Sequence, residues 1–302
     1  MNILQLPLFL FIGYILQKII PENLQEQTAD YLNKFVIYIS LPALVLVYML
    51  DLEFDSTFLL PVVSIWGMFI IVSFMVWVIS RKLGWTRSLT GAMLMLVPFG
   101  NTSFLGIPFT QAYFGDQGIP YAIICDQLGS FLILSTVGLV ILSVYSSQEA
   151  SVSRILKRVL SFPAFIALVF TLFFNSDMFP LWLMDILEFL AATLTPVALL
   201  AIGLYLKLRL DRDKLVPFFI AIGLKLIFVP LVLILVFTLW GMDGLVAEVT
   251  VFEAGMAPMV SSSMLAIAAG LEKRFVASVL GYGIVFSFLT LPVLFYLIKN
   301  IL

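Results

Sequence analysis

Three ionisable side chains stand inside long apolar stretches of this sequence: Asp126, Lys225 and Glu253. Asp126 and Glu253 each lie about nine residues past the nearest polar turn, so at ~1.5 Å per residue each is roughly 13 Å deep in its helix. Lys225 is comparably deep in its own stretch. A charge at that depth in hydrocarbon is costly and ordinarily has a partner or faces water, so each group is a candidate for handling an ion or a proton. The carboxylates suit a cation or a proton, and the ammonium suits an anion or a neighbouring carboxylate. Their bland alternatives are protonated packing carboxyls and a lysine that snorkels or completes a structural ion pair. Asp185, Glu188 and Glu248 lie near the ends of their stretches and read as solvated.

Beside these charges the chain carries two runs that cannot stay helical. In LVPFGNTSFLGIPF (96–109), Pro98 and Pro108 lack the amide proton, Gly100 and Gly106 are poor helix formers, and Asn101, Thr102 and Ser103 can satisfy the backbone groups set free. The second run, FEAGMAPMVSSSM (252–264), places Gly255, Pro258 and Ser261 to Ser263 directly after Glu253. Irregular backbone at membrane depth is tolerated where it lines a cavity or is buried in protein. The half-helix ends then offer amides to anions and carbonyls to cations. Two proline-kinked helices with packing glycines are the simpler alternative, and a pair of breaks favours a substrate centre.

The elements that carry these groups follow from composition. The chain is 62% hydrophobic and 11% charged, with mean hydropathy +1.14, whereas an ordinary soluble domain is about 45–50% apolar and ~25% charged. A bilayer crossing needs ~20 apolar residues. Apolar windows fall near 3–20, 31–50, 58–80, 88–114, 118–145, 160–175, 180–206, 215–240, 244–270 and 274–299. The expectation is an all-α membrane protein of ten transmembrane helices, the first retained rather than cleaved, with no room for a soluble domain. A net charge of −2 gives no surface for nucleic acid. With no histidine and Cys125 as the single cysteine, imidazole or thiolate zinc sites, disulfides and histidine-based triads are excluded, and an enzyme is not expected.

Charge in the turns fixes an orientation. The odd-numbered turns hold Lys18 and Lys34; Arg81, Lys82 and Arg87; Arg154, Lys157 and Arg158; Lys207, Arg209, Arg212 and Lys214; Lys273 and Arg274. The even turns hold acids instead, among them Asp51, Glu53, Asp55, Asp116, Asp177 and Asp243. The alternation predicts cytoplasmic odd turns and both termini outside the cell membrane. Five spans per half would make residues 151–302 an inverted copy of 1–150. In keeping with this, SLPALVLVYML (40–50) aligns with TLTPVALLAIGLYL (193–206), and FGDQGIPYA (114–122) with AGLEKRFVA (269–277).

GNTSFLGIPF in the fourth span, and EAGMAP followed by small residues in the ninth, resemble the crossover helices of the auxin efflux carrier family, bacterial branch. That family is similar in structure to the bile acid:sodium symporters and, more distantly, to sodium/proton antiporters. The resemblance implies two inverted five-helix repeats with crossed broken helices 4 and 9. It also implies a scaffold of spans 1, 2, 6 and 7, a moving core of spans 3–5 and 8–10, and transport of small organic anions. By the same resemblance, sodium would sit at Glu253, Met256, Asn101 and Ser130. The plant carriers have an Asn-Pro-Asn type crossover in both helices; this chain has Gly-Asn-Thr and Ala-Pro-Met, so auxin does not carry over as its substrate.

The sequence therefore reads as a secondary transporter of a small carboxylate, coupled to sodium or protons by elevator-type alternating access, with no cofactor beyond a bound sodium. Gly100, Asn101, Thr102, Ser103, Ala257, Pro258 and Lys225 are expected to bind substrate. Glu253, Asp126, Met256 and Asn101 are expected to couple the ion, and the scaffold helices to form a homodimer. The rival within transport is a sodium/proton exchanger without organic substrate. A channel, a photosensory protein and an intramembrane enzyme fit less well, for want of a filter-like run, a cofactor anchor and a catalytic motif respectively.

Overall fold

Prolines mark three of the five places where these helices widen from their regular winding. The computed structural model describes residues 5–52, 55–146, 157 and 159–302, and there every regular element is helical apart from one isolated backbone bridge. Within longer helices, five stretches widen into π turns: Val36–Ser40, Thr102–Gly106, Cys125–Phe131, Leu134–Gly138 and Leu224–Phe228. Three of them end two residues before a proline, namely Pro42, Pro108 and Pro230. A helical proline has no N–H to give and its ring clashes with the carbonyl four residues back, here that of Tyr38, Phe104 or Leu226, and a widened turn makes room for both. These turns carry Thr102, Ser103, Asp126 and Lys225.

Six continuous helical stretches are long and apolar enough to cross a bilayer: Asn23–Met49, Ser56–Lys82, Asp116–Tyr145, Leu181–Tyr205, Arg212–Trp240 and Lys273–Ile301. Thus six unbroken rods, rather than ten, reach spanning length among the described residues. The other four predicted segments differ for two reasons. The first and sixth are short, Gln5–Ile19 and Pro163–Thr171. The fourth and ninth are interrupted: Arg87–Leu96 resumes only at Thr102, and Gly244–Ala254 only at Val260. Glu53, Arg154, Arg158, the start of the first segment and the junction of the two halves at 150 lie outside the described residues.

Small residues let the first and seventh predicted segments touch backbone to backbone. A Cβ on Gly13 would run into the Leu200 carbonyl and one on Gly203 into the Leu10 carbonyl, while Gln17 Nε2 donates to Leu204 O at 2.8 Å. Ser40 and Thr193, which open the two aligned stretches, share a hydroxyl hydrogen bond of 2.7 Å. Pro163–Thr171 and Leu181–Ala192 both pack on Leu41–Met49. On the other side of the molecule an aromatic cluster locks the far end of the first broken segment to its neighbours. Phe114 meets Phe252 and Phe295 edge-on at 5.2 Å, and Phe109 meets Phe288 at 5.0 Å. The two groups of helices meet where Leu194–Tyr205 lies along Thr102–Gly106.

Among the described residues, the first, third, seventh and ninth turns gather at one end of the molecule, with the helix end at Val144 that leads into the fifth. Lys207 pairs with Glu26 at 3.2 Å and Lys214 with Glu272 at 3.1 Å. Glu272, in a left-handed backbone conformation (φ 38°), also donates its N–H to Ser88 Oγ, and Arg87 Nε donates to the Val144 carbonyl at 3.0 Å. At the opposite end Ser176 N–H binds Asp51 and Lys299 pairs with Glu248 at 2.5 Å. Glu248 is therefore an ion-pair partner with its side chain 12% exposed, not a freely solvated group.

Candidate functional site

The two interruptions satisfy one another. Leu96 ends its helix two residues before Pro98, and Ala254 ends its own before Gly255 and Pro258, so backbone N–H and C=O groups are set free in the interior. Gly100 and Pro258 come side by side as an antiparallel bridge. Asn101 N–H donates to the Ala257 carbonyl at 2.9 Å, and Met259 N–H to the Phe99 carbonyl at 3.2 Å. This crossing disposes of main-chain groups that would otherwise stay unpaired. Gly283 makes it possible, since a Cβ there would lie 2.6 Å from the Pro258 ring. Below the second break, Ser262 and Ser263 both return their hydroxyls to the Met259 carbonyl.

The predicted charges surround the crossing on different terms. Asp126, 1% exposed, has both oxygens engaged: Thr102 Oγ1 and Ser103 Oγ donate to Oδ1 at 2.6 and 2.7 Å, and Gln127 Nε2 donates to Oδ2 at 2.7 Å. The expected substrate hydroxyls of Thr102 and Ser103 are thus already spent on Asp126. Glu253 is fully buried, accepts from Thr110 Oγ1 at 2.7 Å through Oε1, and has no partner for Oε2. Its carboxyl fits flat against Gly106, where any Cβ would collide with Oε2. Lys225, 3% exposed, neither snorkels nor forms an ion pair among the described residues; its Nζ donates to the Ala254 carbonyl at 3.1 Å. Asn101 is fully buried with neither its amide nitrogen nor its amide oxygen paired.

Gly100, Thr102, Ser130, Lys225, Glu253 and Ala254 line a small cavity of about 20 Å³, with Ile65, Met68, Val72 and Val229 on its apolar side. Of the residues expected to hold sodium, Ser130 and Glu253 face this space, whereas Asn101 and Met256 are not in its wall. A larger cavity, 560 Å³, opens between Leu41–Met49, Leu181–Tyr205 and the end of the first broken segment, with Tyr48, Gln111, Asp116, Glu188 and Thr195 in its walls.

Residues 1–295 match the family described as membrane transport protein. The chain belongs to that family. It is also similar to an uncharacterized transporter of Methanothermobacter thermautotrophicus, 31% identical over 298 residues that cover 96% of this chain and 95% of the relative. A second uncharacterized transporter, from Methanocaldococcus jannaschii, is 24% identical over 290 residues, 92% of each chain. This is the family whose crossover helices the two breaks resemble, and it is one of transporters rather than enzymes.

In this membrane transport protein the sequence reading missed the partners rather than the charges. Thr110 and Gly106, which cradle Glu253, carried a signal: they are four residues apart, the spacing that puts two side chains on one helix face. Gln127 and the Ala254 carbonyl carried none: adjacent side chains such as Asp126 and Gln127 do not face each other in a regular helix, and the carbonyl that Lys225 meets is 29 residues away.

Proposed function

We propose that this transporter carries a small organic anion across the cell membrane, coupled to movement of a cation or proton, with the crossing as its substrate centre. The observation that carries this reading is the crossing itself: two helix breaks bridged through their backbones, beside a buried lysine and a fully buried, wholly unpaired asparagine amide. A buried amide with four hydrogen-bonding positions and no partner is a standing cost of roughly 1–3 kcal/mol for each unsatisfied group, and a carboxylate with its water would relieve it. Lys225 adds the positive charge. On this reading the chain crosses ten times as two inverted five-helix repeats, with the odd turns in the cytoplasm and both termini outside. Spans 1, 2, 6 and 7 are the scaffold, with a homodimer contact on its outer face, and the remaining spans move against it. The glycine contact of Gly13 with Gly203 suits a rigid scaffold, and the cavity between the two groups suits a route of access.

Sodium/proton exchange is the second reading. Asp116 and Glu188 in the larger cavity favour it, because they put negative charge on a path an anion would take. Thermal melting of the purified protein against a panel of mono- and dicarboxylates, in sodium and in choline chloride, separates the two, since a ligand of the folded state raises stability by RT ln(1 + [L]/Kd). A saturable rise with at least one carboxylate is expected. A response to cations alone across a broad panel would transfer the assignment to the exchanger.

A further inference from the structure

The Lys225 ammonium lies against a feature that a coupling cation would otherwise use. Its Nζ bonds the carbonyl of Ala254, the last residue of the half-helix Gly244–Ala254. The carbonyl end of a helix carries partial negative charge, and in transporters with broken helices such ends coordinate the transported cation. Gly100 allows the approach: a Cβ there would stand 3.1 Å from Lys225 Nζ and 3.4 Å from the Glu253 carbonyl oxygen. Lys225 thus reaches the last carbonyl of the half-helix past the point where the crossing has no side chain.

The surrounding donors do not leave room for a second cation. The small cavity at the crossing, about 20 Å³, has space for about one water-sized body. Lys225 is in its wall together with Glu253 and Ser130. Asp126, the other acid near the crossing, has both oxygens occupied by Thr102, Ser103 and Gln127. Of these two acids, the unpaired carboxylate oxygen left for an ion is Glu253 Oε2, and a sodium ion there would share this small space with an ammonium of the same sign.

We propose that Lys225 is a tethered cation that takes the place of sodium at the crossing, so that this protein handles its anion without a bound sodium ion. The inference rests on the reading of the crossing as the anion site. It predicts that removing the ammonium uncovers a sodium site made by the Ala254 carbonyl, Glu253 and Ser130.

The full-length protein would be melted in sodium, potassium and choline chloride at equal ionic strength, as wild type, Lys225→Ala and Lys225→Ala/Glu253→Gln. The wild type should melt at one temperature in all three salts. Lys225→Ala should melt lower in choline and regain a few degrees in sodium, saturably and not in potassium; the double variant should lose that response. Should Lys225→Ala not yield folded protein, Lys225→Met, which keeps the aliphatic stem, is read the same way. A saturable sodium-specific rise in the wild type would overturn the proposal, and so would a folded lysine variant indifferent to sodium. A carboxylate arm run in each salt keeps the two readings apart. A carboxylate shift that needs sodium removes the tethered cation and leaves anion transport standing, whereas a shift in choline alone supports both.

Discussion

The two breaks that cross in this transporter are alike in backbone and opposite in chemistry. Each is a helix stopped by glycine and proline, and each gives one N–H and takes one from the other. On the first, the polar side chains Thr102 and Ser103 are bound to an acid, Asp126, that has no free oxygen. On the second, Glu253 keeps one oxygen unpaired and Lys225 holds a helix end rather than a carboxylate. The difference teaches that the matching architecture positions the site, while unequal hydrogen bonding decides which side chains the fold holds, Thr102 and Ser103, and which it leaves for a ligand, Asn101 on the first break and Glu253 on the second.

Removing Asp126 should do the most damage. Asp126→Ala strands three buried donors at roughly 1–3 kcal/mol each, so a loss of about 3 kcal/mol or more is expected in thermal or chemical denaturation. Asp126→Asn should cost less than about 1 kcal/mol, because the Gln127 amide has an unpaired oxygen and can turn to accept from the new amide. Equal losses for the two would mean that charge, not hydrogen bonding, holds the first break.

Gly106→Ala comes next. Its methyl must displace the Glu253 carboxyl, an overpacking of about 1–3 kcal/mol, and transport should fall with it. Gly67→Ala, in a helix position with nothing within 4 Å, should instead gain roughly 0.5–1 kcal/mol. A loss at Gly106 no larger than ordinary helix scatter would separate Glu253 from the first break.

Glu253→Gln keeps the bond from Thr110, so stability should change by less than about 1 kcal/mol in either direction. Cation- or pH-dependent uptake into proteoliposomes should nonetheless disappear. Normal coupling in this variant would return the role to Asp126 and reverse the contrast between the halves.

The least destabilising change is Asn101→Ala. With neither amide atom paired, its removal relieves the cost of burying them, so folding should hold or gain up to roughly 1–3 kcal/mol, while carboxylate binding weakens by roughly 1–3 kcal/mol. A large loss of stability would show that the amide serves the fold.

Much of this was open to inspection in the chain itself, because prolines, glycines and deep charges are local facts. Pro98, Gly100, Gly255 and Pro258 announce two stops, and the bias of lysine and arginine announces which turns share an end; Lys207, Lys214, Arg87 and their partners bear the grouping out among the described residues. What stayed hidden is assignment. Asp126 looked as free as Glu253, since nothing in sequence shows that Thr102, Ser103 and Gln127 converge on it from two π turns. Lys225 looked like an anion ligand or the partner of a carboxylate, because a backbone carbonyl is present at every residue and marked at none.

The crossing is joined by main-chain atoms, and main-chain atoms are the same whatever residue supplies them. Asn101 and Ala257 contribute an N–H and a carbonyl that nearly any replacement would also contribute. The side chains at the centre of the molecule are therefore uncoupled from the joint that holds it together, as interchangeable tips are from a handle. A lineage could retune what such a protein carries by single substitutions at position 101 without passing through an unfolded ancestor, and a library at that position is the place to look for altered cargo.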